Sequence, residues 1–205
     1  MSSPPPNPAP TPRPPTQTTG ADTREFSPAE RKLLLKLAHD AIESALDREE
    51  ISLQAPGPHL TEPRGVFTTL YLRGELRGCV GYVFPVMPVY RAVAETARAA
   101  AAEDSRFEPV HPDEAAQLEV SLSILSPLRP IRADELDVGR HGLVVSMAGH
   151  RGLLLPQVPV EHHWDRTTFL EQTCRKAGLP LDAWKSGASL EAFTAEVFGD
   201  SDVQE

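Results

Sequence analysis

"RGVFTTLYLRGELRGCVGYVF", residues 64–84, decides the fold. Two runs with alternating apolar residues flank Arg73-Gly74-Glu75, which is the signature of a β-hairpin. With Arg73–Glu75 as a three-residue loop, Leu72 faces Leu76, Leu70 faces Gly78 and Thr68 faces Val80, all on one apolar side. Tyr71 then faces Arg77, and Thr69 faces Cys79, on the other side. A two-residue loop at Gly74-Glu75 would instead pair Leu70 with Cys79 and mix the two sides, and register follows the hydrophobic pattern. The three-residue loop is therefore expected, with Cys79 leaving the Leu/Val side for a polar one.

The surrounding chain gives that hairpin its context. Upstream, "SPAERKLLLKLAHDAIESAL" reads as a helix, with Ser27 as N-cap, Pro28 at N1 and Glu30 completing a capping box. Leu33, Leu34, Leu37, Ile42 and Leu46 form its expected apolar stripe. Downstream, "PVYRAVAETARAAAAE" is an alanine-rich helix able to lie close to a sheet, "DSRFEPV" is a loop, and "HPDEAAQ" is a short helix. "LEVSLSIL" alternates cleanly, with Leu118, Val120, Leu122 and Ile124 on one side and Glu119, Ser121 and Ser123 on the other. "LVVSMAGHRGLLLP" reads as a second hairpin turning near Ala148-Gly149-His150. "DRTTFLEQTCRKAG" is a helix capped by Asp165 and closed by Gly178, and "SLEAFTAEVF" is a final strand. Hairpins recur and no βαβ rhythm appears, so the class is α+β with a largely antiparallel sheet packed with helices.

The 205-residue chain carries a net charge of -9, and eight prolines fall within its first fifteen positions. Residues 1–24 are accordingly expected as a disordered or polyproline tail, dispensable for folding, ahead of one domain over 25–199 and an acidic tail over 200–205. No apolar h-region follows the start and no run is long enough to span a bilayer, so neither a signal peptide nor a membrane protein is expected. The acidic balance argues against non-specific nucleic-acid binding, which needs a basic face to release counterions. Cys79 and Cys174 lie far apart and form no metal-type pair. With no export signal, reduced thiols in a cytoplasm are expected.

Cys174 sits on a helix one turn after Leu170 and reads as a small core hydrophobe. Cys79 differs. It lies between Gly78 and Val80 with Gly81 beyond, and glycine inside a strand often marks close approach of a ligand or another backbone. A neighbouring guanidinium, Arg77, favours the nucleophilic thiolate. The competing reading makes Cys79 a half-buried packing residue whose glycines admit the alanine-rich helix. Among the histidines, His141 in "GRHG" is the candidate base; His150, His162 and His163 read as surface or structural residues, and no metal-ligand spacing is present. Neither a metal nor a cofactor is assigned. Trp164 and Trp184 read as packing anchors.

These residues carry a resemblance. "GVFTTLYLRGELRGCVGYVFPVMPVYRAVAETARAAAAEDSRFEPV", "LEVSLSILSPLRPI", "GRHGLVV", "RGLLLPQVPVEHHWDRTTFLEQTCRKAGLPLDAW" and "FTAEVF" resemble, over roughly residues 28–198, the AMMECR-type domain, whose bacterial and archaeal branch is called AmmeMemoRadiSam system protein A. The L-R-G-C-x-G core, Leu76 to Gly81, is its specific signature. The resemblance implies an α+β domain with a smaller lobe and an unsettled activity. It also implies association with a Memo-like protein and a radical SAM enzyme. By position it marks Arg77, Gly78, Cys79 and Gly81, Arg106 and Phe107 in "DSRF", Glu119, His141, and Pro156 and Gln157. Two functions stay open. In one, a thiol-dependent enzyme or modification factor uses Cys79, with Glu119 or His141 moving a proton and Arg77, Gly78, Gly81, Arg106 and Gln157 binding substrate. In the other, a non-catalytic module docks a partner protein or small ligand on the same face.

Overall fold

The computed structural model describes residues 24–47, 49, 51 and 53–203. The proline-rich tail, apart from Arg24, and the last two residues of the acidic tail lie outside them. The chain folds as two units, one holding residues up to Ser123 and from Val197 onward, the other Ile124–Glu196. Each carries a four-stranded sheet, so the α+β expectation holds with two sheets.

In the first unit α1 (Pro28–Asp47) starts at the expected capping box. The Ser27 backbone N–H donates to Glu30 Oε2 at 2.8 Å, and the Glu30 N–H donates to Ser27 Oγ at 3.3 Å. Its buried side is Leu34, Leu35, Ala38, Ala41 and Ile42, while Leu33 points outward. The face is thus rotated from the expected leucine stripe, because the two alanines let α1 lie against α2 (Val89–Ala102), another alanine-rich helix. Helix α2 in turn packs on the hairpin of β1 (Val66–Leu72) and β2 (Glu75–Tyr82). With α3 (Pro112–Ala115) and β3 (Leu118–Leu125) between them in sequence, the hairpin and the late strand β8 (Ala195–Gly199) build a sheet of order β2-β1-β3-β8. Strand β3 buries Leu118, Val120, Leu122 and Ile124 and leaves Glu119, Ser121 and Ser123 partly exposed, as its alternation requires.

The hairpin register is half as expected. Thr68↔Val80, Thr69↔Cys79 and Leu70↔Gly78 pair as the apolar pattern demands. Toward the turn, Tyr71 pairs with Leu76 and Leu72 with Glu75, leaving Arg77 as the extra residue of a β-bulge. The loop is therefore two residues, Arg73 and Gly74, both with positive φ (53° and 83°), in place of three. A tight turn with both central residues left-handed matches the twist of the strands. The bulge absorbs the odd residue and restores the apolar register beyond it.

The second unit has the sheet order β4-β7-β5-β6, with β4 (Arg129–Pro130), β5 (Gly142–Met147), β6 (His150–Leu154) and β7 (Ser189–Phe193). The β5–β6 hairpin repeats the two-residue solution at Ala148 (φ 51°) and Gly149 (φ 82°). Helix α4 (Gln157–Glu161) precedes α5 (Arg166–Lys176), which is capped by Asp165 accepting from the Thr168 N–H at 2.7 Å. Leu136, Leu143, Val145, Phe169, Leu170, Cys174 and Ala183 form its buried core. "SLEAFTAEVF", expected as one strand, is two: β7 and β8 break at Thr194 and belong to different sheets.

Candidate functional site

Cys79 sits on β2, an edge strand, and is half-buried. Its neighbours on the opposite pleat meet α2: a Cβ built on Gly78 would lie 2.2 Å from the Ala100 carbonyl oxygen, and Thr68 Oγ1 meets Thr96 Oγ1 of α2 at 2.7 Å. Cys79 and Thr69 therefore point away from α2, as the register argument requires. The Thr69 hydroxyl donates to Cys79 Sγ at 3.4 Å. That approach follows from the pairing type. The Cys79 backbone groups turn outward from β1, so Thr69↔Cys79 is a non-hydrogen-bonded pair, whose side chains stand closer together.

The outward groups are met by side chains of "DSRF". The Cys79 N–H donates to Asp104 Oδ2 at 2.8 Å, and the Cys79 carbonyl accepts from Arg106 Nη2 at 3.1 Å. Arg106 also grips Asp104, with Nε to Oδ1 at 2.9 Å and Nη2 to Oδ2 at 2.7 Å, and its guanidinium lies 5.5 Å from the Phe107 ring centre. One ion pair thus takes the place that a fifth strand would hold beside Cys79. The Asp104 side chain is 6% exposed, and the Arg106 bonds together with the Cys79 N–H hold its carboxyl down to about 2. The Asp104 bonds come first among the causes that raise the Arg106 guanidinium above its ordinary value.

Arg77, the sequence's choice of cation for Cys79, is engaged elsewhere. As the bulge residue it binds Glu114 through Nε (3.3 Å) and Nη2 (2.9 Å) and donates to the Glu108 and Pro109 carbonyls at 2.8 and 3.2 Å. It fastens the 108–114 segment to the hairpin and holds the Glu114 carboxyl below the usual range. Gly81 lies on the Cys79 side of the strand, and a Cβ there would sit 2.2 Å from the Phe67 ring, so that ring fills the space the glycine leaves. Glu119 is partly exposed on β3, with β1 between it and Cys79. Two strand spacings put it at least about 10 Å away, too far for a direct bond.

His141 and Gln157 belong to the second unit, so the candidate residues divide between the two units. His141 closes a loop: Nδ1 accepts from the Asp137 N–H at 3.1 Å, while the His141 N–H donates to the Asp137 carbonyl at 2.9 Å. Burial and Arg140 push its imidazole below the ordinary value, which suits a ring nitrogen that must accept. Gln157 opens α4 and is exposed, behind buried Pro156. His162 stacks on Trp164 at 4.7 Å. Cys174 is fully buried, and burial raises its thiol, in keeping with a core role.

Asp104 is the residue that sequence reasoning missed; its signal was a carboxylate two positions before the marked Arg106, in a loop following a helix. Among the described residues, one group could offer ligands to a metal: Glu25, His59 and Glu62, with donor atoms within 4.8 Å of one another. The Arg64 guanidinium already lies between the two carboxylates and supplies the positive charge there.

The comparisons agree on kinship. The AMMECR1 family profile matches residues 35–198. A protein of Methanopyrus kandleri is 40% identical over 187 residues, covering 85% of this chain and 90% of its own. One from Thermococcus gammatolerans is 42% identical over 182 residues, covering 82% and 88%. A crystal structure of an uncharacterised protein from Pyrococcus horikoshii aligns with a TM-score of 0.65 at 41% identity, over 82% of this chain and 89% of that one. The L-R-G-C-x-G strand and the Asp104–Arg106 clamp on its cysteine both lie inside the matched span, and the chain belongs to the AMMECR1 family.

Proposed function

We propose that this protein is a thiol-dependent enzyme or modification factor that works from the Cys79 side of the β2-β1-β3 strands. The observation that carries the reading is the Arg106 guanidinium, held by Asp104 and bonded to the Cys79 carbonyl. A fixed cation beside a half-buried thiol is the setting in which cysteines act as nucleophiles. Thr69 donates to the sulfur from the next strand, and Glu119 lies one strand further on, on β3. The partners that suit this reading are a Memo-like protein and a radical SAM enzyme, as the resemblance implies. A cytoplasmic setting suits a free thiol.

A second reading, a non-catalytic docking module, is favoured by one observation. Packing accounts for both glycines, since Gly78 admits Ala100 and Gly81 admits the Phe67 ring. Iodoacetamide separates the two. In the folded protein the Cys79 Sγ–carbon bond forms as iodide leaves and the thiol proton passes to buffer. We expect Cys79 to be labelled at least tenfold faster than Cys174, which is buried. Arg106→Ala should slow that labelling several-fold at fixed pH without unfolding the chain. Cys79 staying inert until denaturant is added would assign it to packing and leave the docking reading.

A further inference from the structure

The end of β2 runs into an apolar surface segment: Tyr82 is 36% exposed, Phe84 38% and Val86 66%. Two aromatics and a valine within five residues, followed by Met87 and Pro88, are more than scattered surface hydrophobes. The N-terminal end of the described chain lies close to this segment. Glu25 pairs with Arg64, the Arg64 N–H donates to the Met87 carbonyl at 3.4 Å, and the Val89 N–H donates to the Glu62 carbonyl at 2.9 Å. The chain therefore leaves toward its N-terminus two contacts away from the exposed loop. What it leads to is "PPPNPAPTPRPP", residues 4–15.

We propose that the exposed loop Tyr82–Val86 is the docking face for this chain's own proline-rich segment, residues 4–15. Proline-rich segments with P-x-x-P spacing, present here as Pro5–Pro8 and Pro12–Pro15, are recognised by exposed aromatic rings because the polyproline conformer has little entropy left to lose. The connection has the right length. Residues 16–23 carry no proline, and eight residues can span at most about 26 Å. A linker of that size gives an effective concentration in the millimolar range, so a weak site is occupied in cis. Charge allows it as well. Arg13 is the one charged side chain in residues 1–20, and near the loop Glu62 and Glu25 share the single Arg64 guanidinium, leaving the group net negative. Weak docking of this kind leaves the thermal midpoint almost unmoved, consistent with a tail that folding does not need.

The test compares amide NMR spectra of the full chain with those of a full-chain variant in which Pro8, Pro10, Pro12, Pro14 and Pro15 are all changed to serine. The expected result is shifted Tyr82, Val83, Phe84 and Val86 amides, unmoved Val160 and Leu181 amides, and partial restoration by a residue 4–15 peptide at millimolar concentration. A second full-chain variant, Val86→Ser, should move the Thr11 and Arg13 amides. Superposable spectra would overturn the proposal. So would shifts that grow with protein concentration, which would make a second copy the occupant.

Discussion

Asp104 does more for Cys79 than any residue on the cysteine's own strand. Its carboxylate takes the Cys79 N–H and aims the guanidinium that takes the carbonyl. Its ionisation should therefore be coupled to folding. The folded carboxyl sits at about 2 against an ordinary 3.8, so the stabilisation is fully present above pH 4 and is lost as pH falls from about 4 to 2. A depression of that size is worth about 2 kcal/mol. Asp104→Asn should lower stability at pH 7 by about 1–3 kcal/mol and flatten the acid limb, measured by urea unfolding at pH 7 and pH 3. An unchanged acid limb would mean that the carboxylate is not linked to folding. Sequence reasoning found Cys79 and its side of the strand, because alternation carries that information. It chose Arg77 over Arg106 as the cation because strand parity places residue 77 beside residue 79. The bulge cancels that parity, and the cation comes from a loop more than twenty positions away.

Elements were legible where the apolar pattern had one solution. The β3 alternation and the far half of the hairpin fall in this class. The turn did not, because two loop lengths differ by one residue and a bulge can absorb the difference. Helix α4 was missed because Pro159 sits inside it, and the β7–β8 break was missed because Thr194 carries no glycine or proline signal. Both hairpins turn through an X-Gly pair in which the first residue is a non-glycine with positive φ. At Ala148 the side chain gives no local hydrogen bond in return for that backbone, which costs roughly 1 kcal/mol for an L residue. Ala148→Asn, the residue such turns prefer, should raise stability by about 0.5–1 kcal/mol in denaturant titration. A loss of stability would show that another contact fixes this turn.

At the scale of the whole molecule, the late segment after β8 is tied into the first unit by one acid. Asp200 accepts from the Val120 N–H at 2.7 Å and from His39 Nε2 at 3.0 Å. The Asp200 bond comes first among the causes that raise the His39 imidazole above its ordinary value. A raised folded value contributes stability that is complete below about pH 6.5 and fades as pH rises through the folded value. Wild type should therefore lose more stability than His39→Gln between pH 6 and pH 8. Equal losses would uncouple His39 from this lock.

The division of the chain also has a consequence for its synthesis. Residues 124–196 emerge from the ribosome before Val197–Gly199, and those last residues belong to the sheet begun by β1 and β2. At roughly 5–20 residues per second, the first unit waits several seconds with β3 lacking its outer neighbour and the Val120 N–H lacking Asp200. The second unit has its whole sheet and its core residues, Leu136 through Ala183, by then. The later-made unit can therefore finish folding first, and a released chain that ends just before Val197 should resist protease through its second unit while its first remains open to cleavage.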